Sequence, residues 1–183
     1  MTTALAGAVE LLDRSLSYTR VALVGLDEAD LDRRTPCRGW TLRALLAHMD
    51  DALDAFTEAA GGRVPLESPP DELRVESLQR KACALLGVWS TPTHPDVRVG
   101  DADLATDLLI STAALEITVH GWDVGQATGR GGPIPEGLAR VLLPVAHQMV
   151  DDADRGIRFG SPCPVPDDSS YDVRLRAFLG RPD

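Results

Sequence analysis

Basic charge is what this sequence has least of. Lys81 is its only lysine, and 18 Lys and Arg face 28 Asp and Glu, for a formal charge of −10 and a pI near 4.8. Phosphate backbones and anionic membrane surfaces attract basic footprints, so neither a nucleic acid nor a membrane is expected as a partner. Cysteines are few and odd in number: Cys37, Cys83 and Cys163 lie too far apart to read as a disulfide framework and suit a reducing cytoplasm. No apolar run approaches the ~18 residues of a membrane span. The N-terminus has no basic segment, and its apolar residues are soon broken by Glu10 and Asp13, so a signal peptide is not expected. What remains is a chain of 183 residues, 44% hydrophobic, expected to fold as one domain over 1–183 with a core that needs no disulfide staples. The expected setting is cytoplasmic and the expected partner a small-molecule substrate.

The apolar residues recur at helical spacing. Leu5, Ala8, Val9, Leu12, Leu16 and Leu23 predict a helix from Thr3 to about Val24. Thr41 is an N-cap candidate for a second helix that runs to about Ala60 and buries Leu42, Leu45, Leu46, Met49, Leu53 and Phe56. A Pro-rich stretch (Pro65, Pro69, Pro70) precedes a third helix, about Asp71 to Trp89. Thr91 to Pro95 cannot continue it, and the residues that follow suit a short extended piece. The fourth helix, about Asp103 to Thr128, is the most apolar and should sit at the centre, ending at Gly129-Arg130-Gly131-Gly132. Pro135 opens a fifth, reaching about Asp152, and a short apolar turn follows at Val173, Leu175, Phe178 and Leu179. The fold class is all-α, an up-and-down four-helix bundle with an extra helix and a short C-terminal tail.

Chemistry concentrates in Glu116-Ile-Thr-Val-His120. Four residues apart on a helix, the two side chains share a face, and Asp123 lies on the same face. Ionisable groups on so apolar a helix must be paired, solvated or bound to a metal. His48, among Leu45, Leu46 and Met49, has the same need. Two imidazoles and a carboxylate from neighbouring helices have the composition of an open divalent-metal site. The same pattern also describes an exposed pair or a satisfied core histidine, and spacing across two helices does not separate these readings. His94, in a Pro-rich loop, and His147 read as surface or packing residues, and Gly129 to Gly132 as a helix stop, since no strand precedes it. Asp50 and Asp51 are expected to face solvent or the rim of the site. Arg38 and Arg43 read as solvated arginines, with a contact to an anionic substrate as the alternative.

Two longer stretches carry more information. Thr35-Pro36-Cys37-Arg38-Gly39-Trp40-Thr41, followed by Leu45 and His48, and Glu116-Ile-Thr-Val-His120-Gly121-Trp122-Asp123, followed by Ala127-Thr128-Gly129, resemble two signatures of actinobacterial metal-binding proteins. Arg174-Leu175-Arg176-Ala177-Phe178-Leu179-Gly180-Arg181 resembles that group's closing segment. The group is the superfamily of mycothiol-dependent maleylpyruvate isomerase N-terminal domains and DinB-like bundles. The resemblance implies that His48, Glu116 and His120 are metal ligands. Zinc is the first expectation, and nickel, iron and manganese are compatible with the same donors. Asp123 is expected behind the ligands or in helix packing, and poorly placed one turn away to orient His120. Trp40 and Trp122 are expected to pack structurally, with lining the pocket as the alternative. Cys37 is expected to be a buried structural cysteine rather than a reactive thiol.

The resemblance further implies mycothiol as cosubstrate and a thiol transferase as the activity, with the metal activating the thiol for attack on an electrophile. Alternatives are a metal-dependent isomerase, cyclase or hydrolase without thiol, or a non-catalytic ligand-binding protein. One departure counts against carrying over maleylpyruvate isomerisation: that enzyme has an additional C-terminal domain, and here about thirty residues follow the fifth helix. A homodimer through exposed helix faces is a further expectation.

Overall fold

In the computed structural model the residues described are 2–61, 74–90, 96–99 and 102–181. The Pro-rich stretch, the first three residues expected of the third helix and His94 lie outside them. Helix α1 (Thr3–Leu23) starts at Thr2, whose hydroxyl accepts the Leu5 N–H, and α2 (Leu42–Ala59) starts at Thr41, whose hydroxyl accepts the Ala44 N–H at 3.4 Å. Both caps satisfy backbone donors that the first turn leaves without partners. Helix α3 (Arg74–Trp89) is followed by an antiparallel pair, β1 (Asp96–Val99) and β2 (Ala102–Ala105), in which Val97 faces Leu104. Helix α4 (Thr106–Thr128) therefore begins later than the sequence suggests, because Asp103 to Ala105 complete a ladder with β1 instead of a first helical turn. Helices α5 (Glu136–Met149) and α6 (Tyr171–Phe178) complete the chain, the latter where only an apolar turn was expected.

The chain divides into two compact units, 1–131 and 132–183. In the first, α1 packs on α4, α4 on α2, α2 on α3 and α3 on α1, so the four helices close a ring in which α1 and α2 stand opposite each other. The ring is filled by leucines: Leu12, Leu42, Leu45 and Leu85 have no exposed surface. Each contributes about 1.5–3 kcal/mol by leaving water. The fold is all-α, as the periodicity implies.

Two contacts set the helix positions. The Thr19 hydroxyl of α1 donates to the Ile117 carbonyl of α4 at 2.8 Å, and the approach needs Gly121, where a Cβ would strike the Thr19 side chain. Between α2 and α3, the Lys81 ammonium donates to Asp50 at 2.5 Å and Asp54 at 2.6 Å, while the Ser77 hydroxyl donates to Asp50 at 2.7 Å. Asp50 is thus buried, contrary to expectation, because Lys81 from the facing helix neutralises it; Asp51 is exposed. Helix α4 ends in Gly129, held at φ 69°, after which the N–H groups of Arg130 and Gly131 both donate to the Gly125 carbonyl. That is the helix stop read from the glycines.

In the second unit α5 packs on α6. Asp172 accepts from the buried Ile134 N–H at 3.0 Å and from Arg176 at 3.1 and 3.2 Å, and the His147 and Phe178 rings lie 4.0 Å apart. His147 is a packing residue there.

Candidate metal centre

Helix α2 presents His48 toward the middle of α4, where Glu116 and His120 occupy successive turns. One carboxylate oxygen, Glu116 Oε1, lies 2.6 Å from His48 Nε2 and 3.0 Å from His120 Nε2. The two imidazole rings are 5.0 Å apart and close to perpendicular, at 86°. All three donor atoms lie within 4.8 Å of one another. The structure thus gathers the three residues that the sequence singled out, from helices that the ring makes neighbours.

Behind them stands Asp123, with no exposed surface and with Oδ2 at 2.9 Å from His120 Nδ1. This corrects the expectation that it would orient His120 poorly. Three residues on, the carboxylate reaches back to the ring nitrogen that faces away from Glu116. In the neutral ring a carboxylate on Nδ1 holds the proton there and leaves the Nε2 lone pair directed at the site.

The loop before α2 delivers two more side chains. The Thr35 N–H donates to the Trp40 carbonyl, the Thr35 hydroxyl reaches the Cys37 and Trp40 carbonyls, and Gly39 takes a φ of 82° that closes the turn. The turn places Trp40 against both imidazoles, its ring centre 5.0 Å from that of His48 and 6.5 Å from that of His120. Trp40 therefore walls the site. Cys37 is half-buried, its Sγ 3.2 Å from Asp123 Oδ2 and 3.8 Å from His120 Nδ1. It is part of the site's support rather than a remote core cysteine. Its thiol donates to the same carboxylate oxygen that holds His120, a connection invisible at a separation of 86 residues.

Burial pushes the Glu116 carboxyl up, but the adjacent His120 and His48 outweigh it and hold the group well below the usual carboxylate range. Burial likewise opposes protonation of His120, yet the Glu116 charge and the Asp123 bond raise it well above the ordinary 6.5. In the metal-free protein the cluster is therefore an ionised carboxylate facing protonated imidazole. Positive charge at this point is stabilised, and a cation can take the proton's place. The donor set, two nitrogens and one oxygen with solvent access at His48, fits zinc and the other borderline divalent ions and leaves room for a further ligand.

Glu116 and His120 also line a cavity of about 410 Å3. Its walls come from all four ring helices and include Leu16, Leu53, Leu78, Leu86 and Ile117. The remaining candidates lie apart. Trp122 is buried in α4 but lines neither the cavity nor the donor cluster. Arg43 is exposed, with Asp32 at 3.6 Å, and does not line the cavity; Arg38 is also exposed.

The profile described as "Mycothiol maleylpyruvate isomerase N-terminal domain" matches residues 12–125, a span that holds Cys37, His48, Glu116, His120 and Asp123. The chain belongs to this family. Two relatives described as uncharacterized proteins of Mycobacterium tuberculosis, from strains CDC 1551 / Oshkosh and ATCC 25618 / H37Rv, are each 25% identical over 151 residues. The match covers 80% of this chain and 82% of each relative. Among solved structures, mycothiol-dependent maleylpyruvate isomerase resembles this chain with a TM-score of 0.50 at 22% identity. A histidine-to-alanine mutant of that enzyme gives 0.56 at 19% identity. Both comparisons cover 78% of this chain and 70% of the other, and they place the family's helical fold under this sequence. Among the described residues no helix is long and apolar enough to cross a membrane.

Proposed function

We propose that the chain is a metal-dependent enzyme acting on a small molecule, a thiol transferase of the mycothiol type. His48, Glu116 and His120 would hold a divalent cation, with zinc as the first expectation. The observation that carries this reading is the convergence of their donor atoms, with Glu116 and His120 in the wall of an apolar cavity large enough for a small ligand. Family membership, and the mycothiol dependence named for both structural neighbours, support mycothiol as the thiol.

A bound cation would supply stabilisation of the thiolate form, which is scarce at neutral pH for a free thiol of pKa about 8.5. The chain's own residues prepare the place. Asp123 holds the Nδ1 proton of His120 and so fixes which nitrogen faces the site. Trp40 braces both imidazoles, and leucines line the cavity beside Glu116 and His120. In the net reaction the thiol S–H bond and the π bond of an activated carbon–carbon double bond break, an S–C bond forms at one carbon, and the proton ends on the other. Reversal after rotation about the new single bond would give an isomerisation, a second reading favoured by the activity named for the structural neighbours.

Liquid chromatography, which separates isomers, coupled to mass spectrometry of zinc-loaded protein incubated with mycothiol and a panel of unsaturated carbonyl compounds tests both. The expected result is an adduct, or an isomerised product of unchanged mass, whose formation stops when zinc is removed. Product formation indifferent to metal, or none with any electrophile, overturns the proposal.

A further inference from the structure

The cavity says more about the substrate than the donors do. Its outer bank is formed by exposed residues of two helices, Asp13, Ser17 and Arg20 on α1 and Gln79 and Cys83 on α3. Its depth is formed by buried apolar side chains, Leu53 and Leu78 among them, down to Ile117 and the donors Glu116 and His120. Charge is sparse and balanced. Asp13 and Arg20 offset each other at the rim, and the inner end carries the Glu116 carboxylate. Beyond the cation proposed at the donors, the lining provides one arginine, at the mouth, and Asp13 balances its charge there, so a second carboxylate would meet no unbalanced cation. Ala52 and Ala82 leave open the space that larger side chains would fill. The volume of about 410 Å3 lies within the ~300–1,000 Å3 range of small-molecule sites.

We infer that this site takes an amphipathic substrate, with one electronegative head group at the His48–Glu116–His120 end and an uncharged apolar body lying between α1 and α3. The inference rests on the metal-dependent reading of the same site and adds the chemical class of the substrate to it. The apolar body contributes binding energy remote from the reacting atoms, and the head group alone meets the donors.

Alkyl hydroxamates, whose head group chelates zinc, separate the two claims. Calorimetric titration of the zinc-loaded full chain should show affinity rising from acetohydroxamate to octanohydroxamate by up to about fourfold for each methylene buried. A hydroxamate ending in a second carboxylate should bind no tighter than acetohydroxamate. In Ala82→Phe the chain-length gain should flatten while zinc content and acetohydroxamate affinity persist. A readout that does not depend on that variant folding is alkylation of Cys83, mapped by peptide mass spectrometry, which octanohydroxamate should slow and acetohydroxamate should not. A flat series with acetohydroxamate still bound overturns the inference and leaves the metal reading intact. Failure to take up zinc overturns both.

Discussion

Helix α2 carries two charged clusters of opposite character, separated by two residues and therefore set on opposite sides of the helix. Toward α3, Asp50 and Asp54 converge on the Lys81 ammonium, a cation that the chain itself provides. Toward α4, His48 and His120 converge on Glu116, and the positive charge there is a proton, which can be exchanged. The first cluster is closed by covalent connection to the fold. The second is completed from solution, by a proton or, on the proposed reading, by a metal. Both use carboxylates withdrawn wholly or in part from solvent, so burial and charge alone do not mark a functional site. What marks it is that the charge-balancing group is removable.

The comparison is broken most sharply by His120→Ala. Metal content should fall from a full equivalent to none detectable while helical content persists, because leucine burial holds the ring together. The melting temperature should fall, since Asp123 and Glu116 lose their buried partner and the metal no longer stabilises the fold. Elemental analysis and thermal melting on the same sample check this; full metal occupancy in the variant would make His120 an ordinary core histidine. Lys81→Met should do the reverse. It leaves Asp50 and Asp54 without their cation, at a cost of about 3–5 kcal/mol in denaturant unfolding, with zinc stoichiometry unchanged in the folded fraction. Asp123→Asn should be milder, weakening zinc affinity by about 10–100-fold in a competition titration without abolishing binding, since the ligands remain and only the orientation of His120 is lost. The smallest effect concerns pH. Burial lowers the Lys81 pKa, but the bonds to Asp50 and Asp54 outweigh it and raise it above the ordinary 10.5. A raised pKa contributes stability that is complete below 10.5 and fades as pH climbs through the folded value. Melting temperatures across the alkaline range should therefore fall more steeply for wild type than for Lys81→Met.

Much of this was legible where a local rule governed. Thr41 caps α2 because its hydroxyl reaches a donor three residues on, and Glu116 and His120 meet because a helix repeats every 3.6 residues. The unread features depend on partners distant in sequence. Asp50 looked solvent-bound because nothing local reveals Lys81, 31 residues away on α3. Cys37 looked structural because its connection to Asp123 depends on the turn stapled by Thr35. Asp123 is expected behind the ligands and is found there, but helix geometry alone does not show its hold on His120, because it omits that the carboxylate can bend back to the nitrogen on the far side of the ring. The start of α4 was misplaced because Leu104 fits an apolar helix as readily as a strand, and only pairing with Val97 decides.

The most direct measurement is a zinc titration of metal-stripped protein, followed by the ring-proton NMR signals of its four histidines. The account predicts that the His48 and His120 signals move together and stop moving at one equivalent, while those of His94 and His147 stay in place. Zinc uptake that leaves the His48 and His120 signals unchanged would contradict it.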